Sequence, residues 1–153
     1  MSTLAAHRAA IVATLSGVPE VGRVHPFERY AKRHGDFAAL YATGERLLGW
    51  HVRRVAGQRL ARGLAHVDEW HEWALTGLAA IDDAAASELT FDDLVETVRD
   101  AFLADTTLGG AVGSTVDPAT GEAGPSVVDS GPVMFAGVLC HRVVLRIVTR
   151  TYG

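Results

Sequence analysis

The end of the chain, MFAGVLCHRVVLRIVTRTYG, constrains the fold more than any other stretch. β-Branched residues dominate it, and a period of two runs through it. Gly137, Leu139, His141, Val143, Leu145 and Ile147 share one face. Val138, Cys140, Arg142, Val144, Arg146, Val148 and Arg150 share the other. The pattern predicts a strand over about 136–150, which at about 3.3 Å per residue would span roughly 50 Å. That is long for one domain of 153 residues. Such a strand is expected to bend at a bulge or to reach a neighbouring subunit.

Two further segments read as strands. RLLGWHVRRVAGQR predicts one at about 46–56, with Leu48, Trp50 and Val52 on one face. AHVDEWHEWALTGLAAID predicts a longer one at about 64–81. There His66, Asp68, Trp70, Glu72 and Ala74 alternate with Val67, Glu69, His71, Trp73 and Leu75, so neither face is cleanly apolar. A strand of that kind extends past its own core or is covered by a neighbour. Short strands are also expected within 21–25 and 125–134.

Helical phase is clearest in SELTFDDLVETVRDAFLAD. Phe91, Leu94, Val95, Val98, Ala101 and Phe102 form an apolar stripe, opposite Asp92, Asp93, Glu96 and Arg99. Thr90 and Asp93 resemble a capping box, which places the helix at about 90–104. A first helix is expected at about 3–16, capped by Thr3 and stopped by Gly17 and Pro19. Helical structure broken in two is expected at roughly 27–42. The order predicts an α+β domain: an antiparallel β-sheet packed on one face by two to three α-helices. A single domain spans 1–153.

Between the 90–104 helix and the last strand lie six of the 16 glycines and three of the five prolines. A segment of this length without regular structure is usually functional or disordered. A mobile loop near 107–125 is the expectation, and Gly109, Gly110 and Gly113 open it.

With a net charge of −4, nucleic acid is not the default partner. One cysteine, Cys140, excludes an intrachain disulfide and suits a reducing cytoplasm. No run approaches the length of a membrane span, and His7 and Arg8 interrupt the first apolar stretch, so neither a span nor a signal peptide is expected.

No catalytic motif emerges. HVDEWHEW holds His66, Asp68, Glu69, His71 and Glu72, but it is not H-E-x-x-H, and on a strand only His66, Asp68 and Glu72 share a face. Polar cross-strand pairing between interleaved tryptophans fits it better than a metal site. Cys140 and His141 point to opposite faces and cannot act as nucleophile and base. LGGAVGS lacks a P-loop lysine. Arg142, Arg146 and Arg150 form a stripe suited to carboxylates of a neighbour or to solvent. No catalytic, cofactor or metal residue is assigned.

Three segments together resemble the tail terminator (tail completion) proteins of Mu-like tailed bacteriophages. They are the N-terminal helix running into VGRVHPFERYA; GWHVRR followed by the tryptophan-rich EWHEWALTGLAAIDDAAASELTFDDLVETVRDAF; and GPVMFAGVLCHRVVLRIVTRTY. The resemblance covers most of the chain, in order. It implies a small α+β domain that forms a homo-oligomeric ring, a hexamer, at the tail-neck junction of the virion, assembled in the host cytoplasm. The ring would cap the head-proximal end of the tail tube, stop its polymerisation and offer a surface to the head connector, with DNA passing through the lumen. It implies no enzymatic activity and no cofactor. Under it, Trp70, Trp73, Arg142, Arg146, Arg150, Gly109, Gly110 and Gly113 are the candidate subunit or tube interface. Alternatives are another neck protein (a stopper or adaptor), a small metal-dependent enzyme built on His66, Asp68, His71 and Glu72, or a binding module such as a toxin-antitoxin partner.

Overall fold

The structure, a computed structural model, describes residues 2–152. Helix α1 (Thr3–Ser16) buries His7, Ile11 and Leu15, which recur every four residues on one side. Its cap is Ser2, not Thr3: the Ser2 hydroxyl accepts the Ala5 amide at 3.1 Å. Strand β1 (Arg23–His25) follows. Helix α2 (His34–Leu40) is only part of the helix expected over 27–42. Residues 27–31 instead run as a strap, held by the Arg29 amide donating to the Tyr41 hydroxyl at 3.1 Å.

Strand β2 (Ala42–Thr43) turns at Gly44 into β3 (Arg46–Ala61), which pairs with β4 (Val67–Ala80) in a long hairpin. β3 runs five residues past its expected end at 56. Its last part was illegible because nothing packs on it, so no apolar period marks it: residues 53–61 are all exposed. Helix α3 (Ser87–Leu103) begins a turn earlier than the Thr90 box implied. Ala86 takes a left-handed conformation (φ 53°), and Ser87 Oγ is bonded by the Asp82 amide at 2.8 Å and by His141 Nε2 at 2.7 Å. Thr90 therefore lies inside the helix. Strands β5 (Ser126–Phe135) and β6 (Val138–Thr151) close the fold as a hairpin.

The sheet order is β1-β3-β4-β6-β5, with β2 paired to β3 off this path. It is antiparallel except that β1 runs parallel to β3, so the sheet is mixed. The α+β class holds. α1 and α3 cover one face, enclosing Ile11, Leu15, Trp50, Trp73, Leu75, Phe91, Val98, Phe102, Leu145 and Ile147. The other face is covered at two places: Phe37 of α2 packs over Tyr41, Leu47, Leu78 and Cys140, and the segment at 114–122 meets Arg146 through Asp117. The bulge expected in the last strand lies instead in its partner β5, between Val127 and Asp129, and a second one lies in β3, between Arg54 and Ala56. No helix among the described residues is long and apolar enough to cross a membrane.

Residues 107–125 hold no helix or named strand, yet they are tied to the body. Leu108 and Val112 enter the main core. Ser114 bridges to Arg150 of β6, and Asp105 accepts the amides of Thr107 and Gly109 at 2.9 and 2.8 Å. In the sequence these anchors are hidden, because two apolar side chains four apart are masked by the glycines around them.

Candidate assembly interface

The distal part of the β3–β4 hairpin, residues 53–67, is exposed and forms an arm, while β4 stays paired with β6 as far as Glu69. β1 pairs only with Gly49, Trp50 and His51, and the strap at 26–31 reaches Arg53 through Glu28, at 3.2 Å. From Arg54 to Ala61 the outer edge of β3 has no strand partner among the described residues. The arm carries Arg53, Arg54, Arg59 and Arg62, with Val55, Leu60 and Leu64 exposed among them. At the opposite side of the sheet β5 is the other edge, with Val127, Val128 and Met134 exposed. Open edges bearing apolar side chains are templates for pairing with another chain.

The residues singled out in the sequence divide. Trp73 faces the helices and is fully enclosed. Its Nε1 donates to Thr149 Oγ1 at 2.8 Å, and the Arg8 guanidinium lies 5.2 Å from its ring. It belongs to the core, so the interface expectation fails for it. Trp70 lies half-buried on the open face beneath Arg150, 5.2 Å away, and its Nε1 is buried without a partner.

The arginine stripe is on the open face as expected, but its charges are engaged within the chain. Arg142 donates to Asp129 at 2.8 Å. Arg146 donates to Glu72 and, at 3.1 Å, to Asp117. Arg150 donates to the buried Asp68 at 2.7 Å, and its guanidinium lies 4.5 Å from the Tyr152 ring. Burial alone would raise the Asp117 carboxyl, but the Ala119 amide and the Arg146 guanidinium hold it below its ordinary range. The Glu72 hydrogen bond pushes Arg146 up.

Gly109 and Gly110 have φ of 72° and 83° and open space beside them, so they serve a turn. Gly113 serves close packing: a Cβ there would lie 2.5 Å from the Tyr152 ring.

The residues of the metal-enzyme alternative do not converge. Asp68 also meets Arg62 at 3.0 Å, Glu72 is taken by Arg146, His66 is exposed at the arm tip, and His71 turns to the helix-covered face. Among the described residues no three His, Cys, Asp or Glu side chains are placed to share an ion. Cys140 is fully buried, and burial pushes its thiol up to about 11, so it stays protonated at neutral pH.

Two charge rows stand out in the structure, and sequence reasoning noted only the acidic face of the 90–104 helix. The β3 side of the arm and its turn are basic: residues 46–67 contain five arginines (46, 53, 54, 59 and 62) and no acid. On α3, Glu88, Asp92 and Glu96 recur every four residues along the side next to β5: Glu88 and Asp92 line a groove with Ser130, Gly131 and Pro132. Arg99 joins Glu96 to this side by holding both Glu96 and the Pro125 carbonyl. The spacing was visible in the sequence. Its alignment with a sheet edge was not.

No protein-family model matches the chain, and no curated protein matches it.

Proposed function

We propose that the chain is a structural virion protein, a phage tail terminator. In this reading it forms a homo-oligomeric ring, a hexamer, at the tail-neck junction. The ring caps the head-proximal end of the tail tube, ends tube polymerisation and joins the tail to the head connector, while DNA passes through the lumen. The observation that carries the reading is the arm. A hairpin that extends past the hydrophobic core contributes little to the folded chain alone, and its exposed edge and apolar side chains are accounted for by a neighbouring protein. Three features agree with it: the ordered resemblance of three segments to tail terminators, the net negative charge that lets DNA slide without being gripped, and the turn at Gly109 and Gly110, free for a tube or connector to contact.

Electron microscopy of particles assembled without this protein tests the role. A terminator predicts tails of uncontrolled, excessive length. Tails of normal length that lack heads would point instead to a stopper or adaptor of the neck.

A further inference from the structure

We infer that the ring is closed by a head-to-tail contact in which the arm edge of one copy adds to the β5 edge of the next, with the arm arginines against the acidic row of α3. This deepens the ring reading and rests on it for taking the occupant to be a second copy of this chain.

Strand direction permits the contact. β3 pairs antiparallel with β4, β4 with β6, and β6 with β5, so β3 and β5 themselves run antiparallel. A second copy set beside the first without reversal therefore offers its β3 edge to β5 as an antiparallel partner.

The side chains agree with the direction. Arg54 stands opposite Trp73, Gly57 opposite His71, and Arg59 opposite Glu69. Trp73 and His71 face the helices, so Arg54 and Arg59 stand on the helix-covered side of the arm. The acidic row of α3 is on that same side of the sheet, along the β5 edge. Joining the edges into one sheet thus brings Arg54 and Arg59 of one copy over Glu88 and Asp92 of the other. Among the described residues Arg54, Glu88 and Asp92 make no ion pair, and Arg59, 76% exposed, makes only a long one to Glu69 at 3.6 Å. The surfaces are complementary and largely uncommitted.

Register sets the shape. Arg53 pairs with Ala74, Ala74 with Arg146, and Arg146 with Ser126. The free part of β3 therefore begins at the level where β5 begins and runs the opposite way. Pairing the edges staggers adjacent copies along the strands. A closed ring of strands absorbs such a stagger as tilt. The interface is heterologous, the kind that generates rings.

Charge reversal tests this. The pair R54E/R59E reverses the arm, and E88R/D92R reverses the row. Mass photometry and sedimentation velocity on the full chain read assembly, and circular dichroism reads folding. Each double variant is expected to raise the concentration needed for assembly at least about tenfold. Mixing the two variants in equal amounts is expected to restore it, because every contact in an alternating assembly is again opposite in charge. The fourfold variant, with both rows exchanged, is expected to assemble like the wild type, which keeps the test decisive if one double variant folds poorly. Wild-type assembly that survives both reversals, or a mixture that fails to recover, overturns this contact and leaves the ring reading standing. Recovery as open filaments upholds the contact and overturns the ring. A wild type that stays monomeric at every concentration overturns the contact, and the tail-length assay then decides the terminator reading separately.

Discussion

At the scale of single residues, a buried network joins the first helix to the last strand. Thr149 Oγ1 accepts from Trp73 Nε1 and also hydrogen-bonds His7 Nδ1, 2.8 Å away. The other ring nitrogen of His7, Nε2, hydrogen-bonds Thr151 Oγ1 at 2.7 Å. Burial lowers His7 first, and the neighbouring His71 lowers it further, against a smaller opposing pull from Glu69. Burial also lowers His71, whose ring stands edge-on to His7 at 5.6 Å, and His51, held by the Tyr41 hydroxyl at 3.0 Å. The unfolded chain therefore takes up these protons first as pH falls. The stability they contribute is complete above the ordinary histidine value of about 6.5 and is lost as pH drops below it toward the depressed folded-state values. Urea midpoints should fall between about pH 7.5 and about pH 5.5. His71→Phe fills the same space without titrating, and it should flatten that dependence. A variant with the wild-type slope would show that His71 is not among the groups responsible. None of this was legible beforehand: His7 reads as a polar interruption of a helix, and only the fold sets it between two threonines 142 and 144 residues away.

At the scale of elements, the sheet is fitted around its tryptophans. Trp50 and Gly77 stand opposite each other on β3 and β4, and a Cβ on Gly77 would lie 2.7 Å from the Trp50 ring. The glycine is there for space: the indole lies across the position its side chain would fill, and Trp50 Nε1 reaches the Val21 carbonyl at 2.9 Å. Gly77→Ala should cost about 1–3 kcal/mol, because both neighbours are backbone-fixed in the sheet centre. Thermal or urea unfolding measures it, and a loss below about 0.5 kcal/mol would mean the ring moves aside freely. Elements with a buried side were readable from sequence. α1 and α3 announced themselves through their apolar spacing, and β6 through its alternation, because in each the core imposes the period. The distal half of β3 and the anchored segment at 107–125 were not. The first has no core to impose a period, and the second hides Leu108 and Val112 among glycines. The interface residues split on the same ground. A tryptophan looks alike in sequence whether it faces a core, as Trp73 does, or an open face, as Trp70 does. An arginine stripe likewise does not reveal that its carboxylate partners stand on three other segments of the same chain: Asp68 and Glu72 on β4, Asp129 on β5, and the Asp117 and Glu122 turn.

At the scale of the whole molecule, the net charge of −4 averages two opposed regions. The arm has arginines and no acid between 46 and 67, whereas residues 82–100 hold seven acids (82, 83, 88, 92, 93, 96 and 100) and one arginine. These regions lie at opposite edges of the sheet, so within one chain they do not meet. Between copies arranged head to tail they can. That arrangement has a consequence for ionic strength which separates it from assembly through apolar patches alone. Exposed charges further apart than the screening length, about 10 Å at 0.1 M salt and 3 Å at 1 M, stop attracting one another. Raising salt from about 0.05 M to about 0.5 M should therefore weaken self-association and slow its onset, the larger effect falling on the association rate. Contacts made by Val55, Leu60, Val128 and Met134 would instead hold or strengthen as salt rises, since burial of apolar surface is not screened. Sedimentation velocity across a salt series reads the sign directly. Assembly that strengthens with salt would assign the contact to the apolar residues, and the two charge rows would then be the guard that keeps open strand edges from pairing in the free chain.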